Sequence, residues 1–234
     1  MRRALAFLTP LGGAAVPDPR TLSWFPLAGA LIGACVGGAW WGAQELWPPA
    51  VASAIVVAID LALTGLLHMD GLVDSADGLL PQVPRAKRLA IMAEPSVGAY
   101  GAVVVASVLL LRFAAFASMD AEVLLIAGIW AGSRTAMAVA ARALPYARAE
   151  GGLASAFTGG DWRPVGLAGL ILAVSLGAFA GGRQSELAVA LGIAASAGVV
   201  AFAHRRLGGF TGDVLGAAGV IGETVALLVA AATW

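Results

Sequence analysis

The sequence predicts an all-α protein that crosses a membrane about seven times as one domain over residues 1–234. Three observations lead there. Of its residues 60% are hydrophobic and 12% charged, where a soluble domain carries about 25% charged residues. Mean hydropathy is +0.88. The apolar residues also gather in runs close to the roughly 20 needed for a membrane helix, and no strand-like alternation is sustained. The 14 basic and 14 acidic residues cancel. These features exclude an ordinary soluble enzyme, a disordered chain and an electrostatic binder of nucleic acid.

The opening MRRALAFLTPLGG has too short an apolar stretch for a signal peptide, and Pro10, Gly12 and Gly13 interrupt it. It reads as a short cytoplasmic or interfacial segment. Candidate spans follow at 25–47, 51–69, 98–118, 121–141, 165–181, 187–203 and 214–232, the fifth and sixth being shortest. Each is rich in Ala, Gly, Leu and Val, so close helix approach is expected. A homo-oligomer is left open. Eleven of the 14 basic residues fall in alternate gaps, from Arg2, Arg3 and Arg20 to Arg205 and Arg206. The positive-inside rule then puts the N-terminus in the cytoplasm and the C-terminus outside. Trp40, Trp41, Trp47 and Trp234 fall at the outer interface, Trp24 and Trp162 at the inner one. Cys35, the single cysteine, reads as a small packing residue.

The second span ends in His68-Met69-Asp70-Gly71-Leu72-Val73-Asp74-Ser75-Ala76-Asp77-Gly78. On a helix, the i, i+4, i+7 spacing places Asp70, Asp74 and Asp77 on one face. Like charges so placed repel unless a cation joins them. Hard oxygen ligands suit Mg²⁺, which keeps positions for substrate phosphates. A solvated polar helix end is the plainer reading of a single aspartate, but three in register in so uncharged a chain favour a metal site. His68 points away from them and reads as structural or supporting.

Three other segments carry charge. Arg205-Arg206-Leu207-Gly208-Gly209-Phe210-Thr211-Gly212-Asp213 reads as a flexible turn able to approach a phosphate and add a carboxylate, or as an ordinary positive-inside loop. Arg134 lies inside the fourth span and needs a partner, with Glu223 as the candidate; Asp60 is a further intramembrane charge, and Arg148 lies in the loop beyond. The stretch RAKRLAIMAEPSVGAYG, residues 85–101, could hold a diphosphate or lipid headgroups, with Glu94 as an extra carboxylate. Together they suggest phosphoryl-transfer or diphosphate chemistry at the cytoplasmic face. No GxxxxGK[ST] loop is present, so ATP-driven pumping is not expected.

HMDGLVDSADG resembles the H-x-D-G-L-x-D-x-x-D-G signature of the cobalamin synthase (adenosylcobinamide-GDP ribazoletransferase) family. FPLAGALIG, IMAEPSVGAYG, SRTAMAVAARALPYARAEGG and RRLGGFTGDVLGA occur in the family's order, so the resemblance spans almost the whole chain. It departs at FLTPLGG, Ala90, Glu94 and Ser96. The resemblance implies a Mg²⁺-dependent enzyme of the cell (inner) membrane, active on the cytoplasmic side. It would join adenosylcobinamide-GDP to α-ribazole or its 5′-phosphate and release GMP. On this basis Asp70, Asp74, Asp77 and Asp213 are expected to hold one or two Mg²⁺ ions. Arg205, Arg206 and Arg148 are expected to bind substrate, with Arg134 and His68 in the same substrate-binding group. Asp77 and Asp74 are the expected catalytic carboxylates, Asp77 taking the hydroxyl proton.

Two other readings compete. A CDP-alcohol phosphotransferase or UbiA-like transferase also uses aspartate-rich Mg²⁺ sites, but with different spacing. A small-molecule transporter would line a midplane path with charges such as Asp60, Arg134 and Glu223.

Overall fold

The computed structural model describes residues 1–13 and 18–233. Helix α1 is Arg2–Leu8, α2 Phe25–Leu46, α3 Pro49–Leu63, α4 Leu67–Leu79 and α5 Arg85–Ile91. Then come α6 Ala99–Ala117, α7 Val123–Ala143, α8 Arg163–Gly181, α9 Arg183–Leu207 and α10 Gly212–Ala230. Single 3₁₀ turns lie at Pro10–Gly12, Pro19–Trp24 and Leu153–Phe157. Among the described residues six helices are long and apolar enough to cross a membrane: α2 with the turn before it, α6, α7, α8, α9 and α10. The chain is a multi-pass helical membrane protein.

The expected second span is corrected. Residues 51–69 are not one helix: α3 and α4 pass the same test only as a pair, bent by 88°. The break is a helix-stop hydrogen-bond pattern. Gly65 N–H donates to Ala62 O at 3.1 Å and Leu66 N–H to Leu61 O at 2.9 Å, the two reversed bonds of a Schellman motif. Gly65 has φ +60° and Leu66 φ +61°. Glycine takes that conformation freely, whereas leucine there costs about 1–2 kcal/mol. α4 therefore runs across the end of the bundle instead of continuing through it.

α7 is the most buried span and α8 the least. α2 lies against α7 along Gly29, Gly33 and Gly37; a Cβ at Gly33 would fall 2.6 Å from the Ile126 carbonyl oxygen. Such small-residue stripes let helix backbones meet in lipid. Trp40 is corrected: it is buried, edge-on to Phe116 with ring centroids 4.8 Å apart, not at an interface. Trp41 and Trp47 are exposed as expected. Trp234 lies outside the described residues. Cys35 is exposed on α2, not packed.

The basic gaps meet at one end of the bundle. Arg142 donates to Pro19 O, Ser23 Oγ and Asp161 O at 2.9–3.1 Å. Arg85 donates to Leu207 O at 2.6 Å and to Ala147 O at 2.9 Å. Phe7, Phe25 and Phe157 cluster edge to face, tying α1 and the Leu153–Phe157 turn to the start of α2.

Candidate functional site

A cavity of about 680 Å³ opens at this end, between α1, the first turn of α4, the lower part of α7, the loop after α7 and the N-terminus of α10. Asp70, Asp213 and Arg148 line it together, and His68 and Tyr146 share the wall. Phe7, Phe25, Leu67, Met137 and Leu215 supply apolar surface. One region is thus charged and the rest apolar.

Two helices whose crossing point is bare glycine build the charged region. α4 meets α10 at Gly71, where a Cβ would lie 2.8 Å from Asp213 O and 2.9 Å from Asp213 Cα. One turn on, Gly216 packs against His68, with its Cβ position 3.2 Å from the His68 Cα. Thr211 caps α10 by accepting from Val214 N–H at 3.3 Å. Asp213 then sits in the first helical turn, where the helix dipole favours negative charge.

The four aspartates separate into two kinds. Asp70 is exposed, Asp74 half-buried and Asp77 buried, at 8% exposure. Asp74 has no hydrogen-bond partner among the described residues. Burial first, then Asp213 and Asp70, push its carboxyl up to about 6, against the pull of Arg148. Asp77 is used differently. Its two carboxylate oxygens accept from Gly98 N–H at 2.8 Å and Gly101 N–H at 2.9 Å, so it caps α6 from outside that helix. Asp77 therefore stands apart from the other three.

Arg148 donates to Asp213 Oδ2 at 2.8 Å and to Met92 O at 3.0 Å. Its Nε is buried without a partner among the described residues. A quarter of the side chain is exposed at the cavity wall, and the guanidinium there suits a phosphate oxygen.

The structure does not bring Arg205 and Arg206 to this cavity. Arg205 is exposed, and Arg206 stacks on Phe202 at 4.7 Å and reaches Pro81 O at 3.5 Å. The loop between α9 and α10 is a joint and not a flexible turn. Gly208 ends α9 at φ +74°, and Gly209 presses on the Pro145 carbonyl oxygen with no room for a Cβ. Ala147 N–H donates to Phe210 O at 2.8 Å, and Phe210 N–H to Pro145 O at 3.0 Å. The basic stretch at 85–88 is likewise structural. Arg88, buried, donates to Gly78 O at 3.0 Å and Leu79 O at 2.8 Å, closing α4. Glu94 faces Lys87 at 3.9 Å in an exposed pair.

Arg134 pairs with Glu223, as expected, inside a larger buried cluster. Arg112, which the sequence reading passed over, is its centre. It donates to Asp60 Oδ2 at 2.7 Å, Glu223 Oε2 at 2.6 Å, Thr224 Oγ1 at 3.0 Å and Val220 O at 3.1 Å. An arginine within the apolar run 98–118 was the available signal, the same one that marked Arg134. Arg134 is also 3.3 Å from His68 Nδ1, which joins the cluster to the cavity wall.

Mg²⁺ fits the donor set in one respect and not in another. Asp70, Asp74 and Asp213 are hard oxygen donors whose mutual repulsion a cation would relieve, and Mg²⁺ needs only one or two carboxylates beside phosphate oxygens and water. Among the described residues, however, no three His, Cys, Asp or Glu side chains converge tightly enough to hold an ion by themselves. That pattern suits an ion completed by a phosphorylated ligand better than a closed protein cage.

Fold and site define a polytopic membrane protein with a carboxylate- and arginine-lined cavity suited to a phosphorylated ligand. The chain belongs to the cobalamin-5-phosphate synthase family, whose match covers residues 1–231. It is similar to proteins named adenosylcobinamide-GDP ribazoletransferase. The one from Chlorobium phaeovibrioides is 35% identical over 90% of this chain and 86% of that relative. The one from Chlorobium chlorochromatii is 36% identical over 94% and 90%. The one from Roseiflexus sp. is 35% identical over 96% and 86%. No solved structure matches the chain.

Proposed function

We propose that this chain is an adenosylcobinamide-GDP ribazoletransferase of the cell (inner) membrane that works with Mg²⁺ on the cytoplasmic face. The observation that carries the reading is the shared cavity wall of Asp70, Asp213 and Arg148 beside apolar surface from Phe7, Phe25 and Met137. The family membership and the names of the relatives support it.

The reaction is attack by a ribose hydroxyl of α-ribazole, or of its 5′-phosphate, on the phosphorus attached to cobinamide. The new ester bond forms there, the phosphoanhydride bond breaks, and GMP leaves with the bond electrons. Asp70, Asp74 and Asp213 would hold Mg²⁺, which would supply positive charge against the diphosphate. Arg148, fixed by Met92 O and Asp213 through one terminal nitrogen, presents the exposed part of its guanidinium to a non-bridging oxygen. The N-terminus of α10 adds its dipole on the same side. The apolar wall takes the aromatic base of ribazole. Asp77, expected to take the hydroxyl proton, has both oxygens on backbone N–H groups, so on this reading the proton goes instead to Asp74, the other expected catalytic carboxylate.

The test is GMP formation from adenosylcobinamide-GDP and α-ribazole phosphate by purified, reconstituted protein, with and without Mg²⁺. Release of CMP from a CDP-alcohol, or of diphosphate from a prenyl diphosphate, in place of GMP would transfer the chain to another class.

A further inference from the structure

A second cavity of about 680 Å³ lies away from the first, as a groove on the outer side of the bundle between α7, α8 and α9. Its floor is made of small side chains, among them Ala136, Ala140, Gly166, Ala197 and Ala201, with Leu167 and Leu170 beside them. One end differs: Trp162, Arg163 and His204 close it, at the same face as the first cavity. Arg163 and Trp162 are exposed there, the guanidinium 5.8 Å from the indole centroid. His204 Nδ1 is buried and has no partner among the described residues. Arg205 follows it in the chain, and Asp161 is the nearby carboxylate in sequence.

The dimensions match one lipid leaflet. From Arg163 to Leu170 the helix rises about 10 Å, and from Ile193 to His204 about 16 Å. Half of a bilayer's ~30 Å hydrocarbon core is about 15 Å. The groove thus begins at a cationic, aromatic rim and ends near the middle of the membrane. Its rim offers the positive charge of exposed Arg163 beside the Trp162 indole, and its floor offers only apolar surface. An amphiphile with a negative head and a hydrocarbon tail complements both parts.

We propose that this groove is a binding site for one anionic phospholipid of the leaflet on the basic face, with its phosphate at Arg163 and an acyl chain along the Ala/Gly floor. The site is separate from the reaction cavity, and the proposal does not depend on the reaction assigned there.

Purified protein is placed in nanodiscs of phosphatidylcholine with a minority of phosphatidylglycerol, extracted into mild detergent and weighed intact by native mass spectrometry. One phosphatidylglycerol should remain per chain, enriched about ten-fold over its share of the bilayer, which corresponds to ~1.4 kcal/mol. Arg163→Gln, at an exposed position that should leave folding intact, should lower the enrichment to the bilayer ratio, and Arg163→Lys should keep most of it. Gly166→Leu, which fills the groove, should remove the retained lipid of either class. The proposal is overturned if the two lipids are retained in the bilayer ratio, or if Arg163→Gln is as selective as the unaltered chain. It is also overturned if the groove proves to be covered by a second copy of the chain, seen as a two-chain mass that Gly166→Leu converts to one.

Discussion

Gly71→Ala tests the helix crossing that brings Asp70 and Asp74 to Asp213. A Cβ at residue 71 would lie 2.8 Å from the Asp213 carbonyl oxygen and 2.9 Å from its Cα. Both are backbone atoms of α10, so no side chain can rotate aside. Ordinary van der Waals contact starts at 3.4 Å, and the two helices must therefore part by about 0.6 Å in a close-packed setting. Over-packing of this kind costs about 1–3 kcal/mol of stability. A displacement near 1 Å in a reacting group costs about a hundred-fold in rate. Turnover should fall by about ten- to a hundred-fold. The assay is GMP release at saturating Mg²⁺ by reconstituted protein, with the thermal unfolding midpoint measured on the same sample. Gly38→Ala, where an added Cβ meets nothing within 4 Å, is the control and should leave both readings unchanged. Gly71→Ala with normal turnover and an unshifted midpoint would refute the idea that backbone contact between α4 and α10 sets the dimensions of the site.

Four further outcomes are expected. Asp70→Asn and Asp213→Asn should each reduce turnover by about a hundred-fold or more and raise the Mg²⁺ concentration for half-maximal rate, since on the proposed reading each removes a carboxylate ligand of the ion; an unchanged Mg²⁺ dependence would remove that residue from the metal site. Asp77→Asn should instead lower stability by about 1–3 kcal/mol by disturbing the cap on α6, with the Mg²⁺ dependence kept; a Mg²⁺ shift as large as that of Asp70→Asn would return Asp77 to the metal site. Arg112→Met should cost about 3–5 kcal/mol in detergent unfolding because it strands the buried Asp60 carboxylate and leaves Glu223 with Arg134 and Ser133 only, and Asp60→Asn added to it should recover part of that loss; single and double variants falling equally would discount the pair. The Asp74 carboxyl is raised above its ordinary value, to about 6, so in Mg²⁺-free protein its contribution to stability is present below about pH 4 and lost as pH rises through about 6. The unfolding midpoint should therefore rise as pH drops from 7 to 5; a flat profile over that window would contradict the crowding of Asp74.

The spans were legible because lipid imposes one rule on every helix, a run of about 20 apolar residues. The second span failed for a local reason. Hydropathy averages over residues 51–69, but the Thr64-Gly65-Leu66 stop is made by two backbone hydrogen bonds and two left-handed residues. Gly65 was the available signal, and it lay inside an otherwise apolar run. The aspartates were legible as a helical face for α4, and Asp70 and Asp74 remain beside Asp213 on that basis. What the spacing could not show is that α6 begins against Asp77 and takes its carboxylate as a cap. Arginines misled in the same way. Arg85, Arg88, Arg205 and Arg206 lie at one end of the bundle, yet three of them donate to carbonyl oxygens at helix ends and in loops, and the fourth, Arg205, is exposed away from the cavity. A positive-inside count reports the face but not what each guanidinium touches. Arg148 differs because Asp213 and Met92 O hold it while part of its guanidinium side chain stays exposed on the cavity wall.

The buried cluster bears on the transporter reading, which needed Asp60, Arg134 and Glu223 to line a path near the midplane. Those groups face one another. Arg112 and Arg134, 2% and 1% exposed, are matched by Asp60 and Glu223, with Ser133 and Thr224 adding hydrogen bonds. The space among them is about 10 Å³, at the lower bound for a single water. Charges so paired, with only Asp60 Oδ1 and Arg134 Nε lacking a partner among the described residues, have little left to offer a passing solute, and unpairing them in lipid would be expensive. Its placement suits a different task. Asp60 lies near the end of α3, Arg112 on α6, Arg134 on α7 and Glu223 on α10, and His68 at the start of α4 touches Arg134. The cluster thus holds the elements on both sides of the α3–α4 bend, directly behind the cavity wall that carries Asp70. A bend that costs energy at Leu66 persists only if the structure around it leaves no alternative, and four charges with mutual partners in a dry interior supply that constraint. Intramembrane charge in this protein secures the geometry of a site at the membrane face.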